Sequence, residues 1–385
     1  MKRSPLTLLC LLLLSSVMYA NSSYEELTRN FKVGKAAIQS LTVMTFGPEG
    51  ILFVGDAKGG QVYALDVNDR KKNTSQKGFG MADVEGKLAN LLGTDEKGVI
   101  IHDVAVNPIS QNIYLAVSRA DANLLGFWKT PNDISNASIL LKITPEGGIS
   151  EVDLGNINHS KAVVPKVIDE GKSKNYRKSD NRTDAITDLA YHGGKLYIAG
   201  LSNEEFASAL RVVDFPFGKK AQYSTIEVYH VAHGANETEA PIRTFMPYEL
   251  EGKKYLLGSY TCTPFVSIPI DDLKANKHVK SKTLGEFGFG NIPLDIVHYK
   301  NKGKDYILMS SFSKALIRID PLDIPKQEAL TEPLKDGEYA VGIPHSVLSR
   351  VGVTHMDNLN EKHVLVLQRM PNGQLSLRSY NTDWL

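Results

Sequence analysis

The chain of 385 residues carries 44 Lys and Arg against 43 Asp and Glu, a formal net charge of +1. That balance supplies no long-range electrostatic reason to bind nucleic acid or an anionic membrane, so neither partner class is expected. Its two cysteines, Cys10 and Cys262, cannot build a disulfide framework, and an ordinary packed core has to carry the stability.

In chain order, Lys2 and Arg3 precede an apolar run over 6–14, and Ala20 offers a small residue before Asn21. Residues 1–20 therefore read as a secretory signal peptide, which would remove Cys10 and leave 21–385 as one exported domain, periplasmic or extracellular. No later stretch approaches the roughly 20 apolar residues that a membrane span requires, so none is expected. Helical patterns are scarce: 24–31 and 85–92 are short candidates, too few for an α/β fold with crossovers.

Most of the remainder follows one recurring pattern. A short apolar strand opens with a small polar residue, turns, and is followed by a strand centred on an aromatic or aliphatic residue and ending in Gly or Ser. The copies are TVMTFGPEGILFVGD from Thr42, DVAVNPISQNIYLAVSR from Asp103, DLAYHGGKLYIAG from Asp188, TFMPYELEGKKYLLGS from Thr244, DIVHYKNKGKDYILMSS from Asp295 and a weaker THMDNLNEKHVLVLQR from Thr354. Their openings are 61, 85, 56, 51 and 59 positions apart. Each interval accommodates a four-stranded propeller blade of roughly 40 to 50 residues. Third strands are expected at QVYALDV, ILLKI, ALRVVDF, FVSIPI, ALIRID and LSLRSY. The pattern predicts an all-β chain folded as a six-bladed β-propeller. Seven blades is the alternative, but the longest interval is too short for a hidden blade and instead suggests an insertion around 156–183. Only 31 residues follow Thr354, enough for three strands. An N-terminal strand from 33–40 is therefore expected to close the last blade and remove the exposed sheet edge.

Through the Asp-apolar-Ala opening of the second and third copies and the Tyr-containing second strand, the repeats resemble NHL-type and gluconolactonase/regucalcin-type propellers. The segments SNEEFASALRVVDFPF, AHGANETEAPIRTF and YTCTPFVSIPIDDL are also similar to a group of secreted bacterial propellers. The resemblance implies an architecture and an exported setting. In gluconolactonase-type enzymes it would further imply a divalent cation held by Glu, Asn and Asp at the channel mouth. Here the acidic residue near the first inner strand is missing, since Thr42 and its neighbours are not acidic.

In such a ring the opening residues Thr42, Asp103, Asp188, Thr244, Asp295 and Thr354 should meet at one channel mouth. The loops after the second strands would add polar side chains. The ligand-binding candidates are Asp56, Arg119, Asn203, Glu204, Arg243, Tyr260 and Arg369, the arginines because their planar donor forks suit a carboxylate or phosphate. Asp103, Asp188 and Asp295 are the metal candidates. Two carboxylates about 7 Å apart at an effective dielectric near 20 would repel by roughly 2 kcal/mol, which a bound Ca²⁺ would offset. The architectural alternative is that each Asp accepts backbone N–H bonds and ties adjacent blades together.

His102 reads as packed or solvent-facing. His230 and His233 could hold a metal only if the chain turns at Gly234; no third ligand is evident, so a surface hairpin is expected. Cys262 reads as a small buried hydrophobe. No nucleophile elbow, phosphate loop, haem-attachment or HExxH motif occurs. The leading expectation is a binding module whose mouth loops take a small anionic ligand, a glycan or another protein. Alternatives are a divalent-metal hydrolase or lactonase at the three aspartates, and a scaffold subunit of a quinone-type dehydrogenase.

Overall fold

The computed structural model describes residues 23–119, 139–171, 180–261, 263–288 and 290–385. Six sheets, antiparallel except for the parallel pairing of Lys277–Lys280 with Gln222–His230, form six blades in a ring. Their inner strands are Leu41–Phe46, Val99–Val106, Asp188–His192, Ile242–Leu250, Pro293–Asn301 and Val353–Asn360, and they number the first to sixth blades. The expected third strands are all present, at Gln61–Asp66, Ile139–Ile143, Ser208–Asp214, Pro264–Pro269, Leu316–Ile319 and Leu375–Asn381. Short helices occupy Tyr24–Thr28 and Val84–Leu92, the latter ended by Gly93 in the left-handed region with φ 64°.

Second strands are buried along almost their whole length, because each sheet is sandwiched between two others. Alternation along the strand then sorts side chains between two cores. In the first blade Ile51 and Phe53 pack with Leu196 and Ile198 of the third blade, whereas Leu52 and Val54 pack with Tyr114 and Ala116 of the second. The first blade thus lies between the third and the second. Four further clusters join the second to the sixth, the third to the fourth, the fourth to the fifth and the fifth to the sixth. Around the ring the order is second, first, third, fourth, fifth, sixth and back to the second.

The chain therefore crosses over itself between its first two blades. After the third strand of the first blade it supplies Gly80–Met81 to the edge of the sixth sheet, builds the second blade, and returns to add Ile157–Val163 beside Gln61–Asp66. Lys32–Gly34 pairs outside that returning strand.

Two expectations change in detail. The segment that completes the sixth sheet does come from the N-terminal side of the chain, but it is Gly80–Met81 and not 33–40, part of which edges the first blade. Two paired residues suffice because the neighbours brace them. The Phe79 amide donates to Ser379 Oγ at 2.8 Å, the Ser379 amide donates back to Phe79 O at 2.9 Å, and Met81 packs with Val84, Leu88 and Leu377. The polar segment around 156–183 is likewise more than a loop, since its first part is the fourth strand of the first blade.

Candidate functional site: the central channel

A register shift near the start of five inner strands decides which residues face one another across the ring. It falls between Leu41 and Val43, Ile101 and Asp103, Ile242 and Thr244, Pro293 and Asp295, and Val353 and His355. The extra residue bulges out of the pairing. Equivalent positions are therefore Val43, Asp103, Thr244, Asp295 and His355, with Asp188 in the third blade; Thr42 and Thr354 are bulge residues, one place early. In ring order the aspartates fall on alternate blades: Asp103, Val43, Asp188, Thr244, Asp295, His355.

Each of these aspartates uses one oxygen on its own strand and the other on the next blade. Asp103 accepts from the amides of Val104 at 2.7 Å and Met44 at 2.6 Å. Asp188 accepts from Leu189 and Phe245, both at 2.7 Å, and Asp295 from Ile296 at 2.8 Å and Met356 at 2.6 Å. Two residues further along the sixth inner strand, Asp357 does the same toward the second blade, accepting from Asn358 and Val106 at 2.7 Å. All four bonds between blades run in one rotational sense. They satisfy amide donors that the curvature of the ring leaves without a partner.

Every one of these carboxylates keeps some surface open to the channel, yet the surrounding sheets strip away most of its water. This burial pushes Asp103 and Asp295 well above the usual carboxylate range, with further contributions from neighbouring carboxylates, Asp188 among them. Asp188 and Asp357 are pushed up to about 6 by the same burial, opposed by their amide donors. Burial also holds His102 and His355 down to about 4. His355 Nε2 lies 2.9 Å from the carbonyl oxygen of His102, and His102 Nε2 lies 2.7 Å from Ser118 Oγ, so the two imidazoles extend the polar wall.

Arg243 is the bulge residue of the fourth blade. Its charge acts on Asp188 of the third blade and on His355 of the sixth, two blades away, which places the guanidinium over the channel. Among the described residues none accepts a hydrogen bond from it or pairs with it as an ion.

The other ligand-binding candidates are dispersed. Asp56 is buried at the end of the strand Ile51–Asp56, where its carboxylate accepts from the amides of Gln39, Ser40 and Gly59 and from Ser40 Oγ. Arg119 is exposed and donates to Leu92 O at 3.1 Å. The Asn203 amide donates to Lys166 O at 3.0 Å, and Glu204 pairs with Lys166 at 2.9 Å. Tyr260 is sealed in the core between the third and fourth blades. Arg369 makes a two-pronged ion pair with Glu85. Residues 1–22 and Cys262 lie outside the described residues.

A second cluster lies away from the channel. The chain does turn at Gly234, and His230, His233 and Glu237 bring three ligand atoms within 4.8 Å of one another. Glu237 is a third potential ligand, which sequence spacing alone did not reveal. It becomes a neighbour because the hairpin pairs it with Val228, whose side of the sheet His230 shares.

No protein-family model matches the chain, and no curated protein sequence matches it. Among solved structures it is similar to YCF48 from Cyanidioschyzon merolae, with a TM-score of 0.36 and 10% identity over 91% of this chain and 98% of that one. It is also similar to an oxidoreductase (glucose dehydrogenase) from Thermus thermophilus, with a TM-score of 0.33 and 9% identity over 91% and 100%. Likenesses this distant say nothing about what the chain binds.

Proposed function

We propose that this chain is an exported binding module whose central channel takes a small anionic ligand, with Arg243 as its anchor. The observation that carries the reading is a guanidinium over the channel with no acceptor among the described residues. A planar fork of donors in a confined polar site binds a carboxylate or phosphate in a fixed orientation. The remaining lone pairs of the aspartates offer contacts for hydroxyl or amide groups on the same ligand. Burial favours the neutral forms of Asp103 and Asp295, which makes the wall around Arg243 less negative than its composition suggests.

The test is calorimetric titration with a panel of small carboxylates and phosphates. Binding should weaken with added salt, fall by about 100-fold or more in Arg243→Ala, and recover partly in Arg243→Lys. An anion that binds equally well to Arg243→Ala, or a panel with no binder, overturns the reading. A glycan or protein docking on the mouth loops would also be indifferent to that change. The export component predicts that the secreted chain begins at Asn21.

A shared Ca²⁺ among Asp103, Asp188 and Asp295 is the second reading, favoured by the electrostatic coupling of those carboxylates. It requires EDTA to lower the melting temperature and Ca²⁺ to restore it. An unchanged melting temperature would assign the aspartates to architecture alone.

A further inference from the structure

The cluster at the hairpin turn poses a protonation problem. His230 is fully buried, and both of its ring nitrogens face acceptors. Nδ1 lies 3.0 Å from Glu237 Oε2, while Nε2 lies 3.8 Å from Glu286 Oε2 and 3.4 Å from Thr263 Oγ1. A neutral imidazole has one N–H, and with that proton on Nε2, toward Thr263 and Glu286, the Nδ1 lone pair faces the Glu237 carboxylate. Glu286 sharpens the conflict. It is wholly buried, lies 3.8 Å from His230 Nε2, and among the described residues is otherwise approached only by the backbone amides of Val231 and Ala232. A buried carboxylate with so few donors is costly to keep ionised and favours a nearby cation.

His233 adds a second imidazole to the same point. Its Nδ1 meets the other oxygen of Glu237, and its ring centroid lies 3.9 Å from that of His230. Two nitrogens and a carboxylate thus converge from the strand Gln222–His230, the turn after it and the strand Ala235–Glu237. Behind them Glu286 reaches the far side of His230 from the fourth blade.

We propose that His230 Nδ1, His233 Nδ1 and Glu237 hold a divalent transition ion of the zinc class, and that Glu286 is the positioning residue that fixes the His230 ring. With an ion on Nδ1, the proton of His230 resides on Nε2 and points toward Thr263 and Glu286. This arrangement of carboxylate, histidine and metal fixes both tautomer and ring orientation. The ion also brings two positive charges to the two glutamates. Two imidazoles with one carboxylate suit Zn²⁺ and its neighbours in the first transition row, and not Ca²⁺, which takes six to eight oxygens. The His233 and Glu237 side chains are 47% and 28% exposed, so the fourth tetrahedral position opens to solvent and takes water. This site lies at the outer part of the third blade and is independent of the channel reading.

Metal analysis of the full mature chain, dialysed with Zn²⁺ and then freed of loose ions on a desalting column, should find one equivalent. Co²⁺ loaded in its place should show the intense visible bands of a tetrahedral site. His233→Ala and Glu237→Gln, changes at partly exposed positions, should abolish both signals in a chain that still folds by circular dichroism. Glu286→Gln should retain the ion with affinity lowered about 10- to 100-fold and a shifted Co²⁺ spectrum. Overturning results are a stoichiometry far below one, Zn²⁺ affinity unchanged in His233→Ala, or an octahedral Co²⁺ spectrum. If no ion binds, a doubly protonated His230 between the two glutamates accounts for the cluster instead. Arg243→Ala should leave all these signals unchanged, which separates this site from the channel.

Discussion

The carboxylate of Asp295 accepts a hydrogen bond from the amide of Met356, 61 residues away in sequence and one blade away in space, at 2.6 Å. Its other oxygen is taken by the next amide of its own strand, Ile296. Asp103 and Asp188 repeat the arrangement on alternate blades, so the inner ring is built from three clasped pairs: second with first, third with fourth, fifth with sixth. An aspartate suits the position because it offers two acceptors and no donor.

Asp295→Asn should therefore destabilise the fold, by about 1–3 kcal/mol, since the amide group leaves one backbone N–H facing another donor. The sign of the pH dependence follows from the raised pKa. The folded chain binds this proton more tightly than the unfolded chain, so the wild type loses stability as pH rises from the ordinary Asp range through the raised value. Asparagine has no such loss. The penalty of the substitution should shrink with rising pH in urea titrations; a penalty that grows with pH would contradict the assigned direction.

Much of this ring was legible in the sequence, and what was not has identifiable causes. Asp103, Asp188 and Asp295 stood out because their strands share a common opening, and the architectural use of that position was one of the two readings the residue type allowed. Val43 and His355 were displaced by one residue because a β-bulge changes register without changing composition. The alternation of aspartates around the ring was invisible, since it exists only once the chain crosses between its first two blades. Gly80–Met81 is too short to show any periodicity. Glu237 and Glu286 belong to the third and fourth blades, and no spacing rule joins either to His230.

The histidines of the channel set an opposite pH dependence. His102 and His355 are held down to about 4, against an unfolded value near 6.5. Their contribution is complete above about 6.5 and is lost as pH falls toward 4, because the unfolded chain binds those protons first. Asp188 and Asp357, pushed up to about 6, act the other way across most of the same window. Asp103 and Asp295 act in that same direction, so the histidine contribution is read from a variant and not from the wild-type profile alone. Replacing His355 by Asn removes one of the acid-sensitive groups, and the variant should gain stability relative to wild type on acidification. Parallel pH profiles for the two proteins would reject this assignment.

The two-residue strand that completes the sixth blade is a concentrated dependence of the ring on packing. Met81 is buried among Val84, Leu88 and Leu377, and the pairing on either side is limited to Gly80 with Arg378 and Met81 with Leu377. Met81→Ala should cost about 2–5 kcal/mol, the usual range for emptying such a site. Because the lost contacts join the segment after the first blade to the end of the chain, limited proteolysis should cut the variant faster around 70–82 than elsewhere. Cleavage rates that rise evenly along the chain would mean the segment does not act as a closure.

Arg211 secures the other consequence of the crossed path, the passage from the first blade to the third. Its side chain is fully buried in the strand Ser208–Asp214 and donates to Leu201 O at 2.8 Å. Longer bonds of 3.4 Å reach the carbonyls of Pro165, Lys166 and Ala185, on the chain that has just left the first blade. Burial lowers its pKa to about 10, so it remains charged at neutral pH, and the carbonyl dipoles take the place of a counter-ion. Arg211→Met preserves apolar bulk but strands those acceptors, and a loss of about 3–5 kcal/mol is expected. Arg211→Lys keeps the charge and loses the fork, so its midpoint in denaturant should fall between the two. A methionine variant within about 0.5 kcal/mol of wild type would show that the returning segment is held by its strand pairing alone.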